Sequence, residues 1–181
     1  GVKDWALHGD VNTENLWLMG NNMCSLVLAY IVENRDQSIL AKIKKCATTC
    51  MTHESDGWLD PQCMKGLAFA YDWAYQDLSA DERQQYVQAM ARLRTQMESR
   101  WRHSDYNNHI YLEWGPTVYA GIAFRGDGIN DAAADQMMDW SRDYIFEHGI
   151  KTVDQAAGDH ADGGWHEGRG YHGFCFYEMI Q

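Results

Sequence analysis

Apolar and charged segments alternate along this chain, and both show the residue spacing of helices. Residues 15–33 carry the small and aromatic run SLVLAY at 25–30. After the polar turn NRD at 34–36, residues 37–52 form a stretch that bears lysines beside an apolar stripe. The two segments together predict a helical hairpin with an apolar first helix.

The same order of segments recurs further along the chain. The apolar run KGLAFAYDW at 65–73 precedes a long amphipathic stretch, and the run TVYAGIAF at 117–124 precedes a charged stretch at 131–148. A Gly-Asp-Gly turn separates the members of the second pair. A fourth apolar stretch begins at Glu167 and is not followed by a charged one.

The spacing of these stretches predicts the fold class. Ala29, Ala70, Ala120 and Phe174 mark comparable positions in the four stretches, and roughly 40 to 55 residues separate successive markers. Hairpin repeats of this length stack and bury their apolar faces against one another. We therefore predict an all-α chain that forms an incomplete α/α toroid or solenoid of stacked helical hairpins. Residues 1–181 are expected to be a single toroid domain, and a fragment that lacks later hairpins.

Composition supports helix over strand. Pro61 and Pro116 are the two prolines, and helix-favouring residues fill most of the segments between them. Ser79 with Glu82 three residues later forms a capping box, which predicts a helix start. A chain of 181 residues with 45% apolar content is large enough to bury a sizeable core.

Charge narrows the classes of partner. The net charge is −11, and the sequence lacks the clustered Lys and Arg that would neutralise phosphates. We therefore expect no nucleic-acid or anionic-membrane partner. The apolar runs are shorter than the roughly 20 residues of a membrane span. An acidic polymer would be repelled at long range, so a site for one has to create local positive potential.

The five cysteines give no dense disulfide or zinc framework. Cys46 and Cys50 lie one helical turn apart on an apolar stripe. A metal or redox pair is one interpretation, but no Cys or His cluster with zinc spacing accompanies them. Packing in the core, where cysteine acts as a small hydrophobic residue, is the preferred interpretation, and no metal site is predicted.

Two polar segments carry the candidate chemistry. The first, at 105–116, places Asn107, Asn108, His109, Glu113 and Trp114 between two predicted helices. Its structural interpretation is an Asn that caps a helix and a partly buried His. Its functional interpretation is a ligand-binding loop, because amides, an imidazole, a carboxylate and aromatic rings rarely concentrate for structural reasons.

The second polar segment, at 159–172, is rich in glycine and in titratable residues. Asp162 could close a turn and Glu167 could stabilise a helix N-terminus. Alternatively, the glycines let the backbone approach a ligand, Trp165 offers a stacking face, and the positive charge of Arg169 favours ionisation of the Tyr171 hydroxyl. The pairing of this segment with the Asn-His segment favours the functional interpretation.

Together these motifs give the chain a resemblance to the N-terminal toroid domain of the heparinase II/III-like polysaccharide lyases. The resemblance covers most of the chain through the run AYDW at 70–73, the pair Asn108-His109, and the run DGGWHEGRGY at 162–171. The Asn-His pair and the Glu-Gly-x-x-Tyr element are the specific parts. Members of this family carry a further catalytic histidine and a β-sandwich domain beyond the toroid, and 1–181 holds no counterpart of either.

The resemblance implies β-elimination at a uronic acid. Asn108 with His109 would neutralise the uronate carboxylate, which stabilises the charge that develops as the C5 proton leaves. Tyr171 would donate a proton to the departing glycosidic oxygen. The base would be Tyr171 or a histidine, of which His109 is the local candidate. The aromatic platforms and polar contacts for the sugar would come from seven residues: Tyr71, Trp73, Glu113, Trp114, Trp165, Glu167 and Arg169.

The resemblance also implies the setting of the protein. Its partner would be an acidic polysaccharide or oligosaccharide, and its location periplasmic or secreted; a homodimer stays open. No cofactor is expected in this segment, since a structural metal would belong to the β-sandwich domain beyond it.

Two other functions stay open. Helical toroids also host glycoside hydrolases, and Asp159 or Asp162 with Glu167 could form the acid and base pair that hydrolysis requires. A non-catalytic helical repeat that only binds a glycan or a partner protein is the other alternative. An unsaturated product distinguishes elimination from hydrolysis, and affinity without turnover indicates a binding module.

Overall fold

A computed structural model describes residues 2–9, 16–54, 59–101 and 108–144. All regular elements in these ranges are helical, which confirms the all-α prediction. A short 3-10 helix, Tyr75–Asp77, follows the fourth α-helix. The α-helices are α1 (Val2–His8), α2 (Leu16–Val32), α3 (Gln37–Thr52), α4 (Asp60–Ala74), α5 (Ala80–Trp101), α6 (Asn108–Phe124) and α7 (Asp131–Tyr144).

Helices α2, α4 and α6 pack side by side, and α3, α5 and α7 each pack against the helix that precedes them. The neighbours α4 and α6 run in the same direction, because Phe69 contacts Tyr119 while Tyr71, further along α4, reaches Asp127 beyond the end of α6. We call α2, α4 and α6 the inner helices. Their common direction gives the described part of the chain a starting end and a finishing end.

Two glycines allow α2 and α4 to approach closely near the starting end. A Cβ on Gly20 would overlap the carbonyl group of Gln62, and a Cβ on Gly66 would overlap the side chain of Met23. The two helices therefore touch backbone to backbone, a contact that larger side chains would prevent.

The turn between α2 and α3 is built by local hydrogen bonds. Asn34 and Arg35 have left-handed backbone, with φ values of 53° and 62°, and the amide of Arg35 bonds to the carbonyl of Tyr30. Asp36 then caps α3, since its carboxylate accepts from the amides of Ser38 and Ile39. The hydrogen bonds from Ser38 lower the pKa of Asp36. These polar residues end one helix and start the next within four positions.

The predicted capping box is confirmed at the start of α5. The amide of Ser79 donates to Glu82 at 2.7 Å, and the amide of Glu82 donates to the Ser79 hydroxyl at 3.2 Å. Lys44 on α3 lies 2.7 Å from the same carboxylate. Burial alone would raise the pKa of Glu82, but the hydrogen bonds from Lys44 and Ser79 lower it below its ordinary value. The box thus also links two helices that follow different inner helices.

Helix α6 differs from the sequence-based expectation at its start. The segment 105–116 was expected to connect two helices, whereas α6 begins at Asn108 and continues through Pro116. A proline inside a helix removes one backbone hydrogen bond and strains the preceding turn. Here Pro116 is buried, and the contacts of α6 with α4 and α7 outweigh that cost.

The core lies between the two rows of helices. Cys46, Cys50 and Cys63 are fully buried in it, in agreement with the packing interpretation of the cysteines. Burial raises the pKa of Cys46 to about 11, so its thiol stays protonated at neutral pH. Among the helices described, none is long and apolar enough to cross a membrane.

Candidate functional site

The predicted catalytic residues Asn108 and His109 are the first two residues of α6. The first turn of a helix has amide groups without intrahelical partners, and it is the positive end of the helix dipole. The two residues therefore begin an inner helix at the starting end. Their side chains, and that of Glu113 one turn later, lie outside the described part of the structure.

The second predicted segment lies outside the described residues altogether. It contains Tyr171, Trp165, Glu167 and Arg169, together with the hydrolase candidates Asp159 and Asp162. The proximity of Tyr171 to Asn108 and His109 therefore stays a prediction.

Buried polar side chains concentrate on the opening turns of α4. In the residues described, the buried polar and charged side chains are Asp60, Gln62, Lys65, Thr117 and Ser141. The first three lie on the opening turns of α4, Thr117 lies near the middle of α6, and Ser141 lies in the last turn of α7. Burying polar groups costs free energy unless they are paired, so contacts to these side chains bear on the stability of this region.

One of these contacts joins His53 to Asp60. The Nε2 atom of His53 lies 3.6 Å from a carboxylate oxygen of Asp60, and both side chains are nearly inaccessible to water. The contact is an ion pair when the imidazole is protonated. It brings the residue after α3 next to the first residue of α4.

Trp114 lies in the first half of α6. Its ring is only 2% exposed, so the indole packs inside the protein. The structure therefore places the predicted sugar platform Trp114 in the core, where its face is not available for stacking in this conformation.

Tyr71 and Trp73 lie at the other end, near the finish of α4. Tyr71 is buried, and its hydroxyl donates to Asp127 at 2.5 Å. Burial and this hydrogen bond raise the pKa of Tyr71. Its ring packs edge-on against Tyr75, so Tyr71 contributes a structural contact rather than an open stacking face.

Among the predicted platforms that the structure describes, Trp73 reaches solvent, with 40% of its surface exposed. It borders a cavity of about 310 Å³ at the finishing end. We call this cavity and its lining the helix-end mouth. Its lining residues are Arg35, Asp72, Trp73, Tyr75, Gln76, Ala123 and Asp127.

Side-chain hydrogen bonds hold the polar part of the helix-end mouth in place. Arg35 donates to Gln76 at 2.9 Å and to Asp77 at 3.1 Å. Tyr30 donates to the same oxygen of Asp77 at 2.6 Å. Burial and this bond raise the pKa of Tyr30 to about 12. The turn after α2 is thereby joined to the turn after α4.

The structure separates the predicted site residues into two groups. The rise of 1.5 Å per helical residue puts Asn108 roughly 20 Å from the level of Trp73 along the parallel inner helices. Asn108 and His109 lie at the starting end, while Tyr71 and Trp73 lie at the finishing end. One compact site cannot use the side chains of both groups.

Sequence reasoning missed most of the helix-end mouth. Arg35 and Asp127 lie in segments that the sequence analysis described only as turns between helices, and Gln76, in the 3-10 helix after α4, was not considered. Each of these segments follows directly after an inner helix, and this shared position in the sequence could have indicated that they lie together. Parallel helices bring such turns together, but the sequence does not state that the helices are parallel.

In the residues described, no group of three or more His, Cys, Asp or Glu side chains could hold a metal ion. No family model matches this chain, and no curated protein or solved structure shows significant similarity to it. The resemblance to the heparinase II/III-like lyases therefore rests on the motifs alone.

Proposed function

We propose that this protein is a polysaccharide lyase that cleaves a uronic-acid-containing polysaccharide by β-elimination. The observation that carries the proposal is the pair Asn108-His109 at the first turn of an inner helix. The Glu-Gly-x-x-Tyr element that ends in Tyr171 supports it, because the two motifs together supply a carboxylate binder and a proton donor.

The position of Asn108 suits an anionic group. Free amides and the positive end of the helix dipole stabilise a negative charge near the first turn of α6. Hydrogen bonds from these amides would stabilise the negative charge of a uronate carboxylate bound there. This local potential works against the overall charge of −11, as an acidic substrate requires.

The proposed reaction needs one proton acceptor and one proton donor. The base, Tyr171 or His109, removes the C5 proton, and the electron pair forms the double bond between C4 and C5. The C4–O bond breaks, and the glycosidic oxygen takes a proton from Tyr171. Asn108 stabilises the carboxylate while negative charge spreads onto it.

For the architecture we propose an α/α toroid or solenoid. The side-by-side packing of α2, α4 and α6, with one further helix behind each, supports this arrangement. Its inner helices would line the surface on which a polymer lies. The proposed substrate implies a periplasmic or secreted location.

The test uses the full-length parent protein and a panel of alginate, heparan sulfate, hyaluronan and chondroitin. An unsaturated uronate absorbs in the ultraviolet, so elimination is followed as a rise in absorbance. We expect a rise with one polymer, its loss in Tyr171→Phe, and a loss of at least a hundredfold in Asn108→Ala. The matched control Tyr177→Phe should retain activity.

Other outcomes would overturn the proposal. A saturated reducing end, lost in Asp162→Asn or Glu167→Gln, would indicate hydrolysis. Binding of a polymer without any product, in a protein whose circular dichroism shows folded helices, would indicate a glycan-binding repeat.

A further inference from the structure

We propose that the helix-end mouth binds an uncharged hexopyranose unit of a glycan, with Trp73 as the stacking platform. The site lies roughly 20 Å from Asn108 along the inner helices, so it stands independently of the proposed elimination.

Trp73 has the surroundings of a stacking residue. It separates two hollows, the polar cavity of the helix-end mouth and an apolar hollow of about 120 Å³ that Phe69, Tyr119 and Ile122 line. The Phe69 ring lies 6.3 Å from the indole and supports it from the protein side. A pyranose has an apolar C–H face and a polar rim, so its two surfaces match an exposed indole beside polar groups.

The polar groups of the helix-end mouth are already fixed without a ligand. Arg35 is held by Gln76 and Asp77, and Asp127 is held by the hydroxyl of Tyr71. Groups that are held before binding lose little conformational freedom when a ligand arrives. Guanidinium, amide and carboxylate groups together offer the donors and acceptors that sugar hydroxyls use.

The backbone conformation of Arg35 belongs to the turn after α2. A φ of 62° is disfavoured for arginine, because its Cβ crowds the following carbonyl. This conformation ends α2, where the amide of Arg35 bonds to the carbonyl of Tyr30. At Arg35 this conformation accompanies a side chain that crosses from the turn after α2 to the turn after α4.

A second cavity continues the helix-end mouth. It measures about 370 Å³ and shares Tyr75 and Asp127 with the first cavity. Arg83 covers the Tyr75 ring at 4.5 Å from its centre. Each cavity is within the size range of small-ligand pockets, so the pair can hold two adjoining sugar units.

Charge decides the class of sugar. Asp72 and Asp127 line the helix-end mouth together with one guanidinium, that of Arg35, which already pairs with Asp77 at 3.1 Å. The remaining carboxylates and the net charge of −11 repel anions. The helix-end mouth therefore favours an uncharged hexose over the uronate proposed for the other end.

The test is isothermal titration calorimetry of the full chain with cellohexaose, laminarihexaose and mannohexaose. Hexaguluronate and chitosan hexamer serve as anionic and cationic probes. We expect at least one neutral hexaose to bind, and its affinity to fall by about tenfold or more in Trp73→Ala. Trp73→Phe, which keeps a smaller ring, should lose less. Trp140→Ala on α7 is the matched control and should bind as the parent does.

Three results would overturn the inference. They are no heat with any neutral hexaose at millimolar concentration, equal affinity in Trp73→Ala, and binding of charged oligomers alone. Circular dichroism of each variant identifies misfolding, and Trp73→Phe keeps the test decisive if Trp73→Ala does not fold. The measurement needs no turnover, so it is read separately from the lyase assay.

Discussion

Tyr71 donates its phenolic hydrogen to Asp127 across 2.5 Å and thereby ties the end of α4 to the turn between α6 and α7. The two residues are 56 positions apart in the sequence. Their bond fixes one wall of the helix-end mouth, because Asp127 lines that cavity and also the second cavity that continues it.

Replacing Tyr71 with Phe should lower the free energy of unfolding by about 1 to 2 kcal/mol, because the ring still packs while the bond to a carboxylate is lost. Urea unfolding followed by circular dichroism measures the change. Asp127→Ala, which removes the acceptor, completes a double-mutant cycle, for which we expect a coupling of about 1 kcal/mol. Simple additivity of the two single changes would show that the bond does not contribute.

The stability conferred by Tyr30 should depend on pH. Its pKa is about 12 in the folded protein, raised by burial and then by Asp77, against about 10 for an ordinary tyrosine. Below about pH 10 both states keep the proton and the stabilisation is complete. Between about pH 10 and 12 the unfolded chain loses the proton while the folded protein still keeps it. Deprotonation therefore stabilises the unfolded state, and the free energy of unfolding falls as pH rises.

Urea unfolding of the parent and of Tyr30→Phe, at intervals from pH 9 to 12, tests this expectation. The parent should be the more stable protein at pH 9, and its advantage should shrink toward pH 12. The comparison cancels the titration of other groups that both proteins share. If the stability difference between the parent and Tyr30→Phe stays constant over this pH range, the raised pKa of Tyr30 is contradicted.

Gly20→Ala should destabilise the protein by about 1 to 3 kcal/mol. The new methyl group would overlap the carbonyl of Gln62, so α2 and α4 would have to move apart. Thermal unfolding measures the effect. Asn21→Ala is the matched control on the same helix, and it should be neutral or slightly stabilising because Asn21 is exposed and alanine favours helix.

Ser79→Ala should lower the free energy of unfolding by about 1 kcal/mol, because the amide of Glu82 loses its capping hydroxyl. Ser79→Thr keeps a hydroxyl and should restore most of the stability. Denaturant unfolding of the three proteins checks the order parent, Thr, Ala from most to least stable. If Thr were no better than Ala, the hydroxyl would not be the stabilising group.

Local signals determined most of the helices. Asp36 and the Ser79-Glu82 box act on neighbouring amides, so their effect can be read from a few adjacent residues. The exception is Pro116, which a local interpretation places at a helix boundary. The contacts of α6 with α4 and α7 keep that proline inside a helix.

The candidate residues divided in the same way. The sequence alone suggested Asn108, His109 and Trp73 as candidates by residue type and motif, and it determined the repeated order of apolar and charged helices. The tertiary structure decided that Trp73 is accessible and that Tyr71 and Trp114 are buried. It also decided that Trp73 and Asn108 lie at opposite ends, because α4 and α6 run parallel. Exposure and proximity depend on contacts between residues far apart in the chain, and no local pattern of side chains specifies them.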